Sequence, residues 1–226
     1  MNTTELYEAF RSDVVDVAKP YLWSDDDVWR YMNAAYVQFV RLTGGITDFL
    51  SDATRVTMTA GEMQAELHPS ILRIIGASRV SDGGEIKVMN MTDAQVLTTR
   101  DYATVIPLLQ QNAPGPVRYM VVGRQRNICE WVQIPVADDT AQLTVYRLPL
   151  NKITGDGQEF DDVADHHHDA LLHWMKHLAY MKQDAETYDK AKSADFEQRF
   201  ISYCASAKAE WERAKHKTRV VMYGGL

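Results

Sequence analysis

The residues best suited to chemistry lie in one stretch, Asp165-His166-His167-His168-Asp169 followed by His173, Lys176 and His177. His166, Asp169, His173 and His177 fall at i, i+3, i+7 and i+11, a spacing that predicts one shared helix face. His173 and His177 have the i, i+4 separation used by zinc-binding helices. A metal-binding enzyme built on His166, His173 and His177 is therefore the alternative function that the sequence offers. The pattern lacks the glutamate that follows the first histidine in a metalloprotease helix, and no thiolate pair accompanies it. A histidine face beside Lys176 is read more simply as solvated or as a subunit contact.

Other candidates give way to structural readings. Asp25, Asp26 and Asp27 lack the ligand alternation and mid-loop glycine of a calcium loop. Behind Ser24 they match the start of a helix, where the dipole favours anions. No Gly-x-Ser-x-Gly elbow is present, and Gly83-Gly84 is not followed by the Lys-Ser/Thr of a phosphate loop. Cys129 and Cys204, the two cysteines, are far apart and read as reduced, structural thiols.

Periodicity predicts the elements that carry these residues. Leu6, Phe10, Val14 and Val17 recur at helical spacing over 4–19, stopped by Pro20. A second helix runs from the Ser24 cap to Thr43-Gly44-Gly45. Strand-like segments follow at 55–59, 63–67, 71–80, 85–89, 117–122, 128–134 and 142–147, separated by Gly- and Pro-containing turns. The helical period then returns over 161–181 and 189–217, the latter with a stripe of Phe196, Phe200, Tyr203, Ala207, Trp211 and Ala214. Residues 93–109 have no clear period. The expected class is α+β: terminal helices forming one layer around a central antiparallel sandwich or barrel-like domain, with an extended C-terminal arm. The expected divisions are a helix pair at 1–50, a β-rich domain at 51–153, a helix pair at 154–217 and an arm at 218–226.

The 226 residues carry a net charge of −7, against the basic face of a sequence-reading nucleic-acid binder. An acidic surface is compatible with DNA sliding past without sticking. The start of the chain has neither the basic nor the apolar region of a signal peptide, and no run approaches the roughly 20 apolar residues of a membrane span. No membrane partner is expected.

The order of several motifs carries a resemblance. His167-His168, Ala179-Tyr180, Lys182-Gln183-Asp184-Ala185-Glu186-Thr187-Tyr188-Asp189 and the spaced Phe196 and Phe200 resemble the phage adaptor proteins of the head-to-tail connector, a portal-docking family that includes tail tubular protein A-like members. Tyr31, Asn33, Ala34 and Tyr36 resemble the core of that family's second helix. Thr59-Ala60-Gly61-Glu62, Leu67-His68-Pro69, Ile134-Pro135 and Tyr146-Arg147-Leu148-Pro149 resemble its strand junctions. The sequence departs from the pattern at 127–131, where Cys129 and Glu130 interrupt the expected strand.

The resemblance implies a structural virion protein of the neck, assembled in the bacterial host's cytoplasm, without catalytic activity or cofactor. It implies a ring, usually of twelve copies, docked on the portal protein and joined distally to a tail, nozzle or stopper protein. Genomic DNA would pass through the lumen without base contacts. Thr218, Arg219, Val220, Val221, Met222 and Tyr223 would form the arm that grips the portal.

Overall fold

A computed structural model describes residues 1–90, 113–160, 163–184 and 186–215. The expected arm, Thr218 to Tyr223, and the segment 93–109 lie outside the described residues. The chain forms two compact units: Met1–Gly44 with Pro149–Leu226, and Gly45–Leu148. The class is α+β, as the periodicity predicts.

The first unit is helical. Helix α1 (Thr3–Asp13) starts with a reciprocal cap: the Asn2 side chain accepts from the Glu5 amide at 2.9 Å, and the Glu5 carboxylate accepts from the Asn2 amide at 3.0 Å. It buries Leu6 and Phe10. It ends about a turn and a half earlier than its apolar spacing predicts, because Val15 turns to φ +58° and Asp16 is drawn inward. Val17 is consequently exposed.

Helix α2 (Asp25–Thr43) has the predicted ends. The Ser24 hydroxyl accepts from the Asp27 amide at 3.2 Å, and Gly44 takes the left-handed conformation at φ +105° that closes the helix. Its buried face runs through Val28, Met32, Tyr36, Phe39 and Val40. Helix α3 (His168–Met181) and helix α4 (Lys190–Lys215) complete the layer. Phe200 of α4 is fully buried, with its ring 5.0 Å from Trp174 and 6.4 Å from Phe39. Three helices therefore share one aromatic junction. Cys204 and Ala207 extend this buried stripe, but Trp211 is 42% exposed and Ala214 is exposed.

Among the described residues the second unit is a curled, eight-stranded sheet: β1 (Ile46–Asp48), β2 (Arg55–Met58), β3 (Gln64–Glu66), β4 (Ile71–Arg79), β5 (Glu85–Asn90), β6 (Tyr119–Gln125), β7 (Ile128–Trp131) and β8 (Asp139–Arg147). The order is β1-β8-β4-β5-β6-β7-β3, with β2 also paired to β8. Buried Ala141, Leu143 and Val145 alternate along β8, as a strand with one covered face requires. They pack with Val56, Met58, Ile86, Met120 and Trp131 in one apolar core.

Three expectations need correction. The sheet is mixed: β5 and β6 pair in parallel from Lys87↔Tyr119 to Asn90↔Val122. β1 carries no strand signal of its own; it is fixed by pairing with β8 and by a buried ion pair between Asp48 and Arg147. Cys129 and Glu130 do not interrupt their strand. They lie within β7, opposite Val122 and Val121 of β6, and Cys129 is fully buried.

Each unit has a decisive contact to test. Replacing Phe200 by Ala should lower unfolding free energy by about 3–5 kcal/mol, read from denaturant melts; an unchanged midpoint would remove it from the core. In the sheet, burial raises the pKa of Asp48. The Ser51 hydroxyl, Arg147 and the Leu50 and Ser51 amides outweigh that effect and hold it well below the usual carboxylate range. A depressed pKa adds stability that is fully present above about pH 4 and is lost as pH falls towards the folded value. The melting-temperature gap between wild type and Asp48→Asn should therefore be widest near neutral pH and narrow below about pH 4. A gap that stays constant down to pH 3 would contradict this assignment.

Candidate functional site

The helical unit carries a pinned surface loop between α1 and α2. Arg11 is 4% exposed, and its guanidinium pairs with the buried Asp16 carboxylate. It also donates to the Trp23 carbonyl at 2.7 Å and to Asp25 at 2.7 Å. Asp16 in turn accepts from the backbone amides of Leu22 at 2.8 Å and Trp23 at 3.3 Å. A carboxylate that receives a guanidinium and two amides is well satisfied, which is the condition for burying it. The network closes the loop at its base and turns its apolar side chains outward. Val15 is 81% exposed and Val17 67%, with Leu22 beside them. A β-branched residue at positive φ is a rare conformation that its surroundings must impose. The loop is therefore a held shape rather than slack chain, and it shows apolar surface to the outside.

The sheet unit carries a groove. β4 pairs with β8 along its whole length, from Ile71↔Arg147 to Arg79↔Ala141. Its other edge meets β5 only at Ala77↔Ile86 and Ser78↔Glu85. Irregular registers at Ile71/Arg73 and Ile74/Gly76 bend β4 away, while β5 follows β6. The two strands thus splay and open a groove of about 890 Å³. Its floor includes Leu67, Ile74, Val88 and Val122, which pack on the core. Leu72 and Ile75 are half-exposed on its wall, and Arg73 and Arg126 line it. Nothing in the sequence signals this groove beyond the mixed apolar and cationic composition of 71–75, because it results from pairing that stops early.

The histidines do not form one face. Asp165–His167 makes a 3-10 turn ahead of α3, so the helical register that would align His166 is broken. His166 is exposed, and its carbonyl accepts from the Tyr203 hydroxyl at 3.1 Å. His173 stacks on Phe196 at 6.2 Å. His177 is buried, and its Nδ1 donates to the Ser193 carbonyl at 3.1 Å. His168, one of the triple run, is the most buried of the set, with Nε2 donating to the Val163 carbonyl at 2.8 Å. Among the described residues no three His, Cys, Asp or Glu side chains come together as a metal site. The histidines instead join α3 to α4 and to the chain just before it.

A family model described as SU10 adaptor protein matches residues 1–221. The chain belongs to that family. It is a phage adaptor protein, a virion component that works through contacts with other head and tail proteins. No curated protein matches the chain.

For an adaptor the relevant surfaces are the exposed ones, and both features above are exposed. Among the described residues no helix is long and apolar enough to cross a membrane. The adaptor's thiols fit structural roles: burial pushes both Cys129 and Cys204 up to about 12, far above the pH at which a thiolate forms readily. Both cysteines of the folded adaptor should resist iodoacetamide at pH 8 and react once the chain is denatured. Rapid labelling of either in the native protein, read by mass spectrometry, would show that its site opens.

Proposed function

We propose that the chain forms a ring beneath the portal and joins the DNA-filled head to the tail or its nozzle, without catalysis. The observation that carries this reading is membership of a phage adaptor family over nearly the whole chain. A ring subunit needs side surfaces for its neighbours and end surfaces for the proteins above and below. The pinned loop with Val15, Val17 and Leu22 and the half-exposed Trp211 of α4 offer apolar surface of that sort. The subunit's charge of −7 is multiplied by copy number in a ring. A lumen that shares in that charge repels phosphate, so genomic DNA passes without sequence-specific contacts.

The portal contact is assigned to the arm Thr218, Arg219, Val220, Val221, Met222 and Tyr223. Val220 and Val221 are β-branched, Met222 is apolar and Tyr223 aromatic, a composition suited to an added strand. Pairing along a neighbour's sheet edge satisfies the backbone of such a segment and buries alternate side chains. Assembly takes place in the host bacterial cytoplasm, before the neck is complete.

The test is a truncation. A chain ending at residue 217 should keep its far-ultraviolet spectrum and melting temperature, yet fail to join portal-bearing heads in a complementation assay scored by electron microscopy. Normal occupancy of the truncated protein on those heads would refute the arm. Absence of the full-length protein from the necks of its own particles would refute the adaptor reading itself.

A further inference from the structure

The groove between β4 and β5 combines three features with different origins. The first is a strand edge without a partner among the described residues. Among the described residues no strand pairs with the β5-facing side of β4 from Leu72 to Ile75, while its opposite side pairs with β8 across register shifts at Leu72 and Ile75. A free edge is a template for another extended chain, and natural sheets usually cover or blunt it. The second is apolar lining. Leu67, Ile74, Val88 and Val122 continue the core into the groove, and Leu72 and Ile75 remain 43% and 49% exposed beside it. An incoming strand would cover these side chains with every second residue.

The third feature is charge. Arg73 and Arg126 are both exposed at this groove, and neither has an ion pair among the described residues. Two guanidinium groups without an ion pair among the described residues, beside an apolar wall that carries no acidic residue, select for a ligand that carries carboxylates. The chain's own residues 218–226 carry Arg219 and no acidic side chain, so they do not complement this site.

We infer that this slot receives an extended, apolar segment with acidic residues from a second protein of the virion, which enters as an added strand along β4. The backbone edge sets the extended conformation, the apolar floor sets the alternation, and Arg73 and Arg126 set the charge. The inference does not depend on the portal arm, and it can be tested on the isolated full-length chain.

The probe is a labelled nine-residue peptide, Glu-Val-Thr-Val-Thr-Val-Thr-Val-Glu, compared with the same peptide carrying lysine at both ends. The glutamate peptide should bind saturably in fluorescence anisotropy and slow amide exchange across residues 72–75. The lysine peptide should bind wild type roughly tenfold more weakly or worse. The double variant Arg73→Glu, Arg126→Glu should reverse that preference. Three outcomes would overturn the proposal: equal affinity for the two peptides on wild type, binding with no change in exchange at 72–75, or slow exchange of those amides in the free chain, which would mean the slot is already filled. Self-association of the free chain that the double variant abolishes would assign the slot to a second copy instead, and would also overturn it. Because the reversed-charge peptide is tested on wild type, the result stands even if the double variant fails to fold.

Discussion

In the helical unit the Arg11 guanidinium is the group on which the remaining contacts converge. It is almost wholly removed from water, so its charge must be met by the surrounding protein. Asp16, the Trp23 carbonyl and Asp25 meet it, and Tyr21 covers its face at 4.0 Å. That requirement stops α1, folds the following residues back and delivers Trp23 to the interior. Trp23 then reaches α3: its indole donates to the Ala179 carbonyl at 3.0 Å, and its ring packs edge-on to Phe10 and Tyr180. Removing one partner from a buried pair of this type typically costs about 3–5 kcal/mol, because the other charge is left unmatched. Pairs on the surface, such as Arg199 with Asp195, carry no comparable constraint.

The sheet unit is governed by a different constraint. β8 is its axis, paired with β1, β2 and β4 and buried along Ala141, Leu143 and Val145. Pairing is complete on that side and incomplete between β4 and β5. The asymmetry leaves a firm half and a groove in the same sheet, and a fixed wall is a good platform for a transient or assembled partner.

What could be read from the sequence followed local chemistry. Ser24 and Gly44 mark the ends of α2 because capping involves only neighbouring residues. Seven of the eight strands were visible as alternating or apolar runs, and β8 most plainly. The misreadings were non-local. Val17 has helical spacing, but a carboxylate drawn to Arg11 ended α1 first. The parallel pairing of β5 with β6 depends on how the chain returns between them, which no local pattern encodes. The alignment of His166, Asp169, His173 and His177 requires one continuous helix, and a 3-10 turn at His166 breaks the register. The groove has little linear signature, since Arg73 comes to it on β4 and Arg126 on the turn between β6 and β7.

The helical unit is made from both ends of the chain, with the whole sheet unit inserted between them. Synthesis therefore sets an order of events. α1 and α2 leave the ribosome long before α3 and α4 exist, and at ordinary elongation rates they wait on the order of ten seconds for their partners. During that interval Leu6, Phe10, Met32 and Phe39 have no complete core to enter. The sheet, whose residues are contiguous, can close first and bring the two halves of the helical unit within reach of each other. The nascent adaptor thus shows the apolar faces of α1 and α2 before α3 and α4 are made to cover them.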